Sequence, residues 1–228
     1  MKEQKHIKSM FDKIVARYDF LNHFLSFGQD ILWRKKMAEE AVLKQNEIIL
    51  DLATGTADSA IALIKKGANV IGVDISFEML KTGVLKIKNQ FTSSALFYPI
   101  NASGYQIPLR DNSVDAVTCA FGIRNMHETK KVLTEIYRVI KKNGRVVVLE
   151  FSLPKNIFKK PYLFYLKKII PFIASVFSVK SAYEYLGSSI EAFYKPSDFT
   201  NLLVYCGFKN IKTIPLSFGC VYLYVGIK

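Results

Sequence analysis

The chain has 228 residues, half of them hydrophobic, with a mean hydropathy of +0.15, enough for a substantial core in one α/β unit. Its net charge is +13, mostly from scattered lysines; with no arginine-rich tract or RNA-recognition signature, it reads as solubility first, attraction to an acidic membrane second and nucleic acid third. Three cysteines, Cys119, Cys206 and Cys220, lack a CxxC spacing, which excludes a disulfide framework and a zinc knuckle and fits a reducing, cytoplasmic compartment.

From Ser9 to about Lys44 the pattern is helical, broken near Ser26–Gly28, with Trp33 beginning a second helix. The leading MKEQKHIKSM lacks the apolar core of a signal peptide. Apolar runs then predict strands at Ile48–Leu52, Val70–Asp74, Ala95–Asn101, Ser113–Phe121 and Arg145–Phe151. Helical segments fall between them at Thr56–Lys66, Phe77–Asn89 and Glu128–Lys141. This alternation predicts a mostly parallel sheet with helices on both faces. Ser152 to Tyr194 reads as a helical, aromatic insertion, followed by a helix at Pro196–Cys206 and a closing hairpin, Ile211–Leu216 with Val221–Ile227. One unit is expected over 1–228, with a helical lid (1–46), a core (47–151), an aromatic cap (152–195) and a C-terminal helix and hairpin (196–228).

The chemistry begins at IILDLATGTADSA, where a strand ends at Asp51, turns through Gly55 and opens into a helix; the next strand ends on Asp74. A pyrophosphate cradle needs G-x-G-x-x-G, and here Ala53 and Ala57 stand beside a single glycine. The turn suits a nucleoside without phosphate, such as S-adenosylmethionine, whose ribose diol can donate to Asp74. Asp51 and Asp74 can also be read, less readily, as strand-end and helix-capping residues. Ligands of such sheets sit beyond the carboxyl ends of the strands. The fourth strand ends in Phe121-Gly122-Ile123-Arg124-Asn125, so Arg124 and Asn125 either face a substrate or cap a helix, with Arg124 paired to a carboxylate. His127 is a candidate for acid–base work, though a lone loop histidine is more often structural or solvated.

Three stretches carry a resemblance over essentially the whole chain: Tyr18-Asp19-Phe20-Leu21-Asn22 through Leu25-Ser26-Phe27-Gly28 to Trp33; Phe121 to Asn125; and Arg138-Val139-Ile140-Lys141 through Gly144 to Leu149-Glu150-Phe151-Ser152. In these the chain resembles the ubiquinone/menaquinone biosynthesis C-methyltransferases, class I S-adenosylmethionine enzymes with a Rossmann-like, seven-stranded sheet. The resemblance implies cofactor contacts at Asp51, Gly55 and Thr56 in the turn, Asp74 at the ribose and Asn101 and Ala102 beside adenine, with Ala120 where a serine is expected. It departs at Ala57, where glycine is usual, at Asp30, where a histidine is expected, and at Lys142-Asn143, where Pro-Gly is usual. The methyl of Ala57 is expected to crowd the methionine portion and weaken affinity.

The implied reaction methylates a ring carbon of a polyprenylated quinol, most simply demethylmenaquinol to menaquinol, with a ubiquinone precursor and RNA as alternative acceptors. S-adenosyl-L-homocysteine leaves, and no metal is required. Arg124 is expected to stabilise the developing phenolate and Asn125 to orient it, with Tyr18 and Asp19 closing over it. The lipid-soluble tail is expected to run through the aromatic cap, whose lysines suit anionic headgroups at the inner face of the membrane. A homo-oligomer is compatible with all of this.

Overall fold

The first apolar run, Ile48–Leu52, forms β1 and lies parallel to β2 (Asn69–Asp74), with Ile48 opposite Asn69 and Leu52 opposite Val73. The computed structural model describes the chain apart from residues 1, 92–95, 155 and 177–179; the side chains of 2–6, 13, 16, 156, 174–176 and 180–183 are also outside the description. Three further parallel strands are β3 (Phe97–Asn101), β4 (Val114–Ala120) and β5 (Ile140–Phe151). The hairpin of β6 (Lys209–Leu216) and β7 (Val221–Ile227) completes a seven-stranded sheet in the order β3-β2-β1-β4-β5-β7-β6, with β7 antiparallel to both neighbours. Strand order reverses between β1 and β4, which opens a crevice at their carboxyl ends.

Helix α1 spans Lys2–Leu25 and α2 spans Gln29–Ala41. On the core, α3 is Asp58–Lys65, α4 is Phe77–Gln90 and α5 is Thr129–Val139. The cap contains α6 (Lys159–Phe164), a π turn at Tyr165–Ile169, α7 (Ile170–Val176) and α8 (Lys180–Ala192); α9 is Pro196–Tyr205.

One sheet face buries Ile49, Val70 and Val147 against Trp33 and Met37 of α2 and Leu63 of α3. The other buries Leu50, Val117 and Val148 against Ile136 of α5 and Phe199 of α9. A third apolar cluster joins Ile14, Leu21 and Leu25 of α1 to Leu166, Ile170 and Ile190 of the cap. Lid and cap, separate segments in the sequence, therefore pack as one roof, pinned by the Tyr165 hydroxyl donating to the carbonyl of Leu25 at 2.7 Å.

Several boundaries differ from expectation for physical reasons. The second helix starts at Gln29, not Trp33, because Gly28 adopts a left-handed backbone (φ 72) that ends one helix and lets the next begin at once. The first helix begins at Lys2, before any apolar stripe marks it. The start expected at Ala95 for the third strand lies outside the described residues, as does part of the expected Ser152–Tyr194 segment. Strand β5 starts at Ile140, where α5 stops, because Ile140 pairs with Val114 before an irregular stretch. In that stretch Asn143 takes φ 63, and Gly144 packs so closely that a Cβ would come within 2.6 Å of the Asp115 carbonyl.

Candidate active site

Two neighbouring cavities open over the crevice. The smaller, about 110 Å³, lies on the strand ends and is lined by Gly55, Asp74, Ala102, Ala120 and Asn125. The larger, about 260 Å³, lies under the roof and is lined mainly by aromatic and aliphatic side chains. Phe11, Tyr18 and Phe121 line both and form the partition.

In the turn after β1, Ala53, Gly55 and Ala57 all have left-handed backbones (φ 55, 54 and 70). At Gly55 a Cβ would meet nothing within 4 Å, so this glycine leaves open space beside the cavity. Asp74 accepts from the Gly55 amide at 2.9 Å and the Ser76 amide at 2.8 Å. Burial raises its pKa against these backbone donors. An ionised carboxylate offers about four acceptor sites, so capacity remains for a diol. Asn101 donates to the Asp74 carbonyl at 2.9 Å, holding the two strand ends together.

Asp51 and Thr56 are buried and line neither cavity. Asp51 accepts from Thr54 at 2.6 Å and from Thr118 at 2.7 Å, fixing the turn from below. Thr56 donates to Asp19 on α1, and Lys86 on α4 pairs with the same carboxylate at 2.7 Å. Asp19, expected over the substrate, is thus a latch between lid and core and lines neither cavity. The Ala57 methyl, expected to crowd the cofactor, is fully buried against Gly83, where an added Cβ would lie 2.9 Å away. Its cost is backbone strain, roughly 1 kcal/mol, rather than lost space in the site.

Burial lifts Asp51 to about 6, above 3.8, against the opposing hydroxyl bonds. The folded state therefore holds a proton that the unfolded chain releases in this window, so stability falls as pH rises through it. Asp51→Asn is expected to abolish that slope, read by thermal unfolding from about pH 4 to about pH 8.

Arg124 lies in the larger cavity and Asn125 in the smaller, so the adjacent pair is split between them. Arg124 is committed: its Nη1 donates to Glu150 at 2.7 Å and to the Phe121 carbonyl, and its Nε to Ser189 at 3.3 Å. The Arg124 side chain is 7% exposed and that of Glu150 fully buried, so the carboxylate-paired alternative for Arg124 is the arrangement found. Glu150 was not picked out in the sequence; an acid inside the apolar run VVVLEF is itself a signal for a buried partner. Tyr18 bonds to the Asn22 side chain, and burial pushes its hydroxyl above its ordinary value. His127 lines neither cavity. Arg34 of α2 was missed, and Asp30 was noted only as a departure from the family; both line the larger cavity, and their i,i+4 spacing beside Trp33 was the available clue.

A model of the ubiE/COQ5 methyltransferase family matches residues 1–228. The ubiquinone/menaquinone biosynthesis C-methyltransferase UbiE of Geotalea uraniireducens (strain Rf4) is 40% identical over 226 residues, covering 97% of this chain and 96% of that protein. The demethylmenaquinone methyltransferase of Chlorobaculum tepidum is 37% identical, covering 100% of this chain and 94% of its own length. Among solved structures, a SAM-dependent methyltransferase from Aquifex aeolicus superposes with a TM-score of 0.63 at 19% identity, covering 85% of this chain and 88% of that one, which establishes the shared fold.

Proposed function

The chain belongs to the ubiE/COQ5 methyltransferase family, and from that footing we propose that it methylates a ring carbon of a polyprenylated quinol, converting demethylmenaquinol to menaquinol. When bound, S-adenosylmethionine supplies a methyl group on a positively charged sulfur, which needs no metal to activate it. The observation that carries the reading is the apolar cavity beside the nucleoside site, separated from it only by Phe11, Tyr18 and Phe121. A mainly aromatic and aliphatic chamber suits a naphthoquinol better than a phosphate backbone.

Asp74 and Gly55 would hold the cofactor's ribose and the turn, with Ala102 and Ala120 as apolar walls. Asn125, whose Oδ1 is buried without a partner, lines the same cavity and would contribute to the cofactor's surroundings. Asp19, Thr56 and Lys86 would keep the lid shut, excluding water from the reacting pair. Tyr18 on the partition would orient the quinol, and proximity alone is worth about 7–11 kcal/mol. Arg124 would shape the chamber wall through Phe121 and Glu150.

The purified protein, given S-adenosylmethionine and a reduced demethylmenaquinol, should yield quinol heavier by one methylene. Methylated RNA with unchanged quinol would overturn this, and preference for a benzoquinol precursor would redirect it to ubiquinone.

No helix among the described residues is long and apolar enough to cross a membrane. The roof nevertheless exposes Phe27 (82%), Phe172 (73%) and Phe164 (61%), with Phe27 stacked on Tyr165, which lines the larger cavity. Exposed Lys159, Lys160 and Lys168 lie on the same cap. We take this face as the contact with an anionic bilayer, where the tail would enter. Burying one phenylalanine is worth about 1.5–3 kcal/mol. Phe27→Ser is therefore expected to weaken flotation on acidic vesicles roughly tenfold or more, while S-adenosylhomocysteine binding stays unchanged.

A further inference from the structure

Among the described residues only two buried side-chain polar atoms lack a partner: Asn125 Oδ1 and Arg34 Nε. The Arg34 residue is 9% exposed and lines the larger cavity. Its Nη1 donates to Asp30 Oδ2 at 2.8 Å, and its guanidinium lies 5.3 Å over the Phe121 ring. An unpaired N–H in such a place costs about 1–3 kcal/mol, more on a charged group, so this guanidinium is short of one acceptor. Asp30 is the one carboxylate among the described residues lining this cavity. Its Oδ2 also contacts His23 Nδ1 at 2.7 Å, and its Oδ1 accepts from Ser26 at 2.8 Å. The far nitrogen of His23 lies 3.9 Å from Asp58, which Lys86 pairs in turn, and the His23 side chain is 37% exposed. A chain of groups thus runs from the apolar chamber to solvent.

Building on the quinol reading above, we propose that Arg34 and Asp30 handle the ring hydroxyl: the Arg34 guanidinium donates to the ring oxygen, Asp30 accepts its proton, and His23 shares it. The O–H bond breaks as the ring carbon forms its C–CH₃ bond and the S–CH₃ bond breaks, giving a neutral thioether and a ring ketone. The methylated carbon then loses its hydrogen as a proton to solvent, and the proton held on the Asp30–His23 pair returns to the oxygen. One proton is released overall. Arg124, already neutralised by Glu150, is left with a positioning role.

The test compares wild type, Asp30→Asn, His23→Gln and Arg34→Gln on quinols whose ring hydroxyls differ in acidity, with S-adenosylhomocysteine affinity and thermal stability measured alongside. General-base loss is worth about 10²–10⁴ in rate. Asp30→Asn is expected to lose at least about 100-fold in kcat, with cofactor affinity within about threefold, and the deficit should shrink at least tenfold on the most acidic quinol. A purely structural role would depress all quinols equally. His23→Gln should show the same trend more weakly, and it carries the test if Asp30→Asn fails to fold, because His23 is partly exposed. Arg34→Gln should raise KM and lower kcat together.

Folded Asp30→Asn and His23→Gln variants with wild-type turnover, or equal losses on every quinol, would overturn the proposal. So would turnover abolished by a chelator and restored by a divalent cation, since His23, Asp30 and Asp58 also have metal-ligand spacing. Wild-type protein inactive on every quinol would instead remove the functional reading on which this rests.

Discussion

Arg124→Ala should lower stability by about 3–5 kcal/mol, the cost of leaving one half of a buried ion pair alone. Glu150 is fully buried and, among the described residues, keeps only backbone donors after the change: the Arg124 amide at 3.2 Å and the Phe151 amide at 2.9 Å. The Phe121 carbonyl and Ser189 lose a donor as well. In a domain of this size the midpoint should fall by roughly 6–20 °C. Removing the charge on both sides, as in Arg124→Met with Glu150→Leu, should recover most of it, because apolar replacement of a buried pair is often neutral. Calorimetric unfolding of the single and double variants reads this directly. A stable Arg124→Ala protein without turnover would make Arg124 a group that acts on the substrate.

The second large effect belongs to the cofactor. Asp74→Ala should weaken S-adenosylhomocysteine binding about 100-fold or more, since bonds to a charged acceptor are worth about 1.5–3 kcal/mol each and a ribose diol supplies two. Gly55 also loses the acceptor that fixes its amide, so the turn loosens at the point where the cavity opens. Turnover at saturating cofactor should change far less, because nothing on Asp74 reaches the larger cavity. Titration calorimetry measures it, and equal affinity in the two proteins would remove Asp74 from the ribose.

The strand ends were legible because local chemistry announces them. An apolar run stopping at Asp51 or Asp74 before a turn is a short-range pattern, and the sheet order follows from alternating strands and helices. What the sequence hid depends on separation along the chain. Arg124 meets Glu150 from 26 positions away, and the Trp33 indole donates to Ser217 from 184 positions away. The resemblance placed Asp19 over the substrate together with Tyr18, yet on a helix neighbouring residues diverge by about 100°. One therefore faces the chamber while the other latches to Thr56. Arg34 sat at the edge of the segment that resembled the family, and no spacing rule says that its Nε would be left without a partner.

Because lid and cap share one apolar cluster, the roof cannot lift for one ligand without loosening over the other. A ligand that orders the roof would carry that cost, and a second would be spared it. Thermodynamic linkage makes the benefit mutual: a quinol that tightens the cofactor must be tightened by it in equal measure. The cluster of Ile14, Leu21, Leu25, Leu166, Ile170 and Ile190 would then set how strongly the two binding equilibria speak to each other, without any of the six taking part in the chemistry.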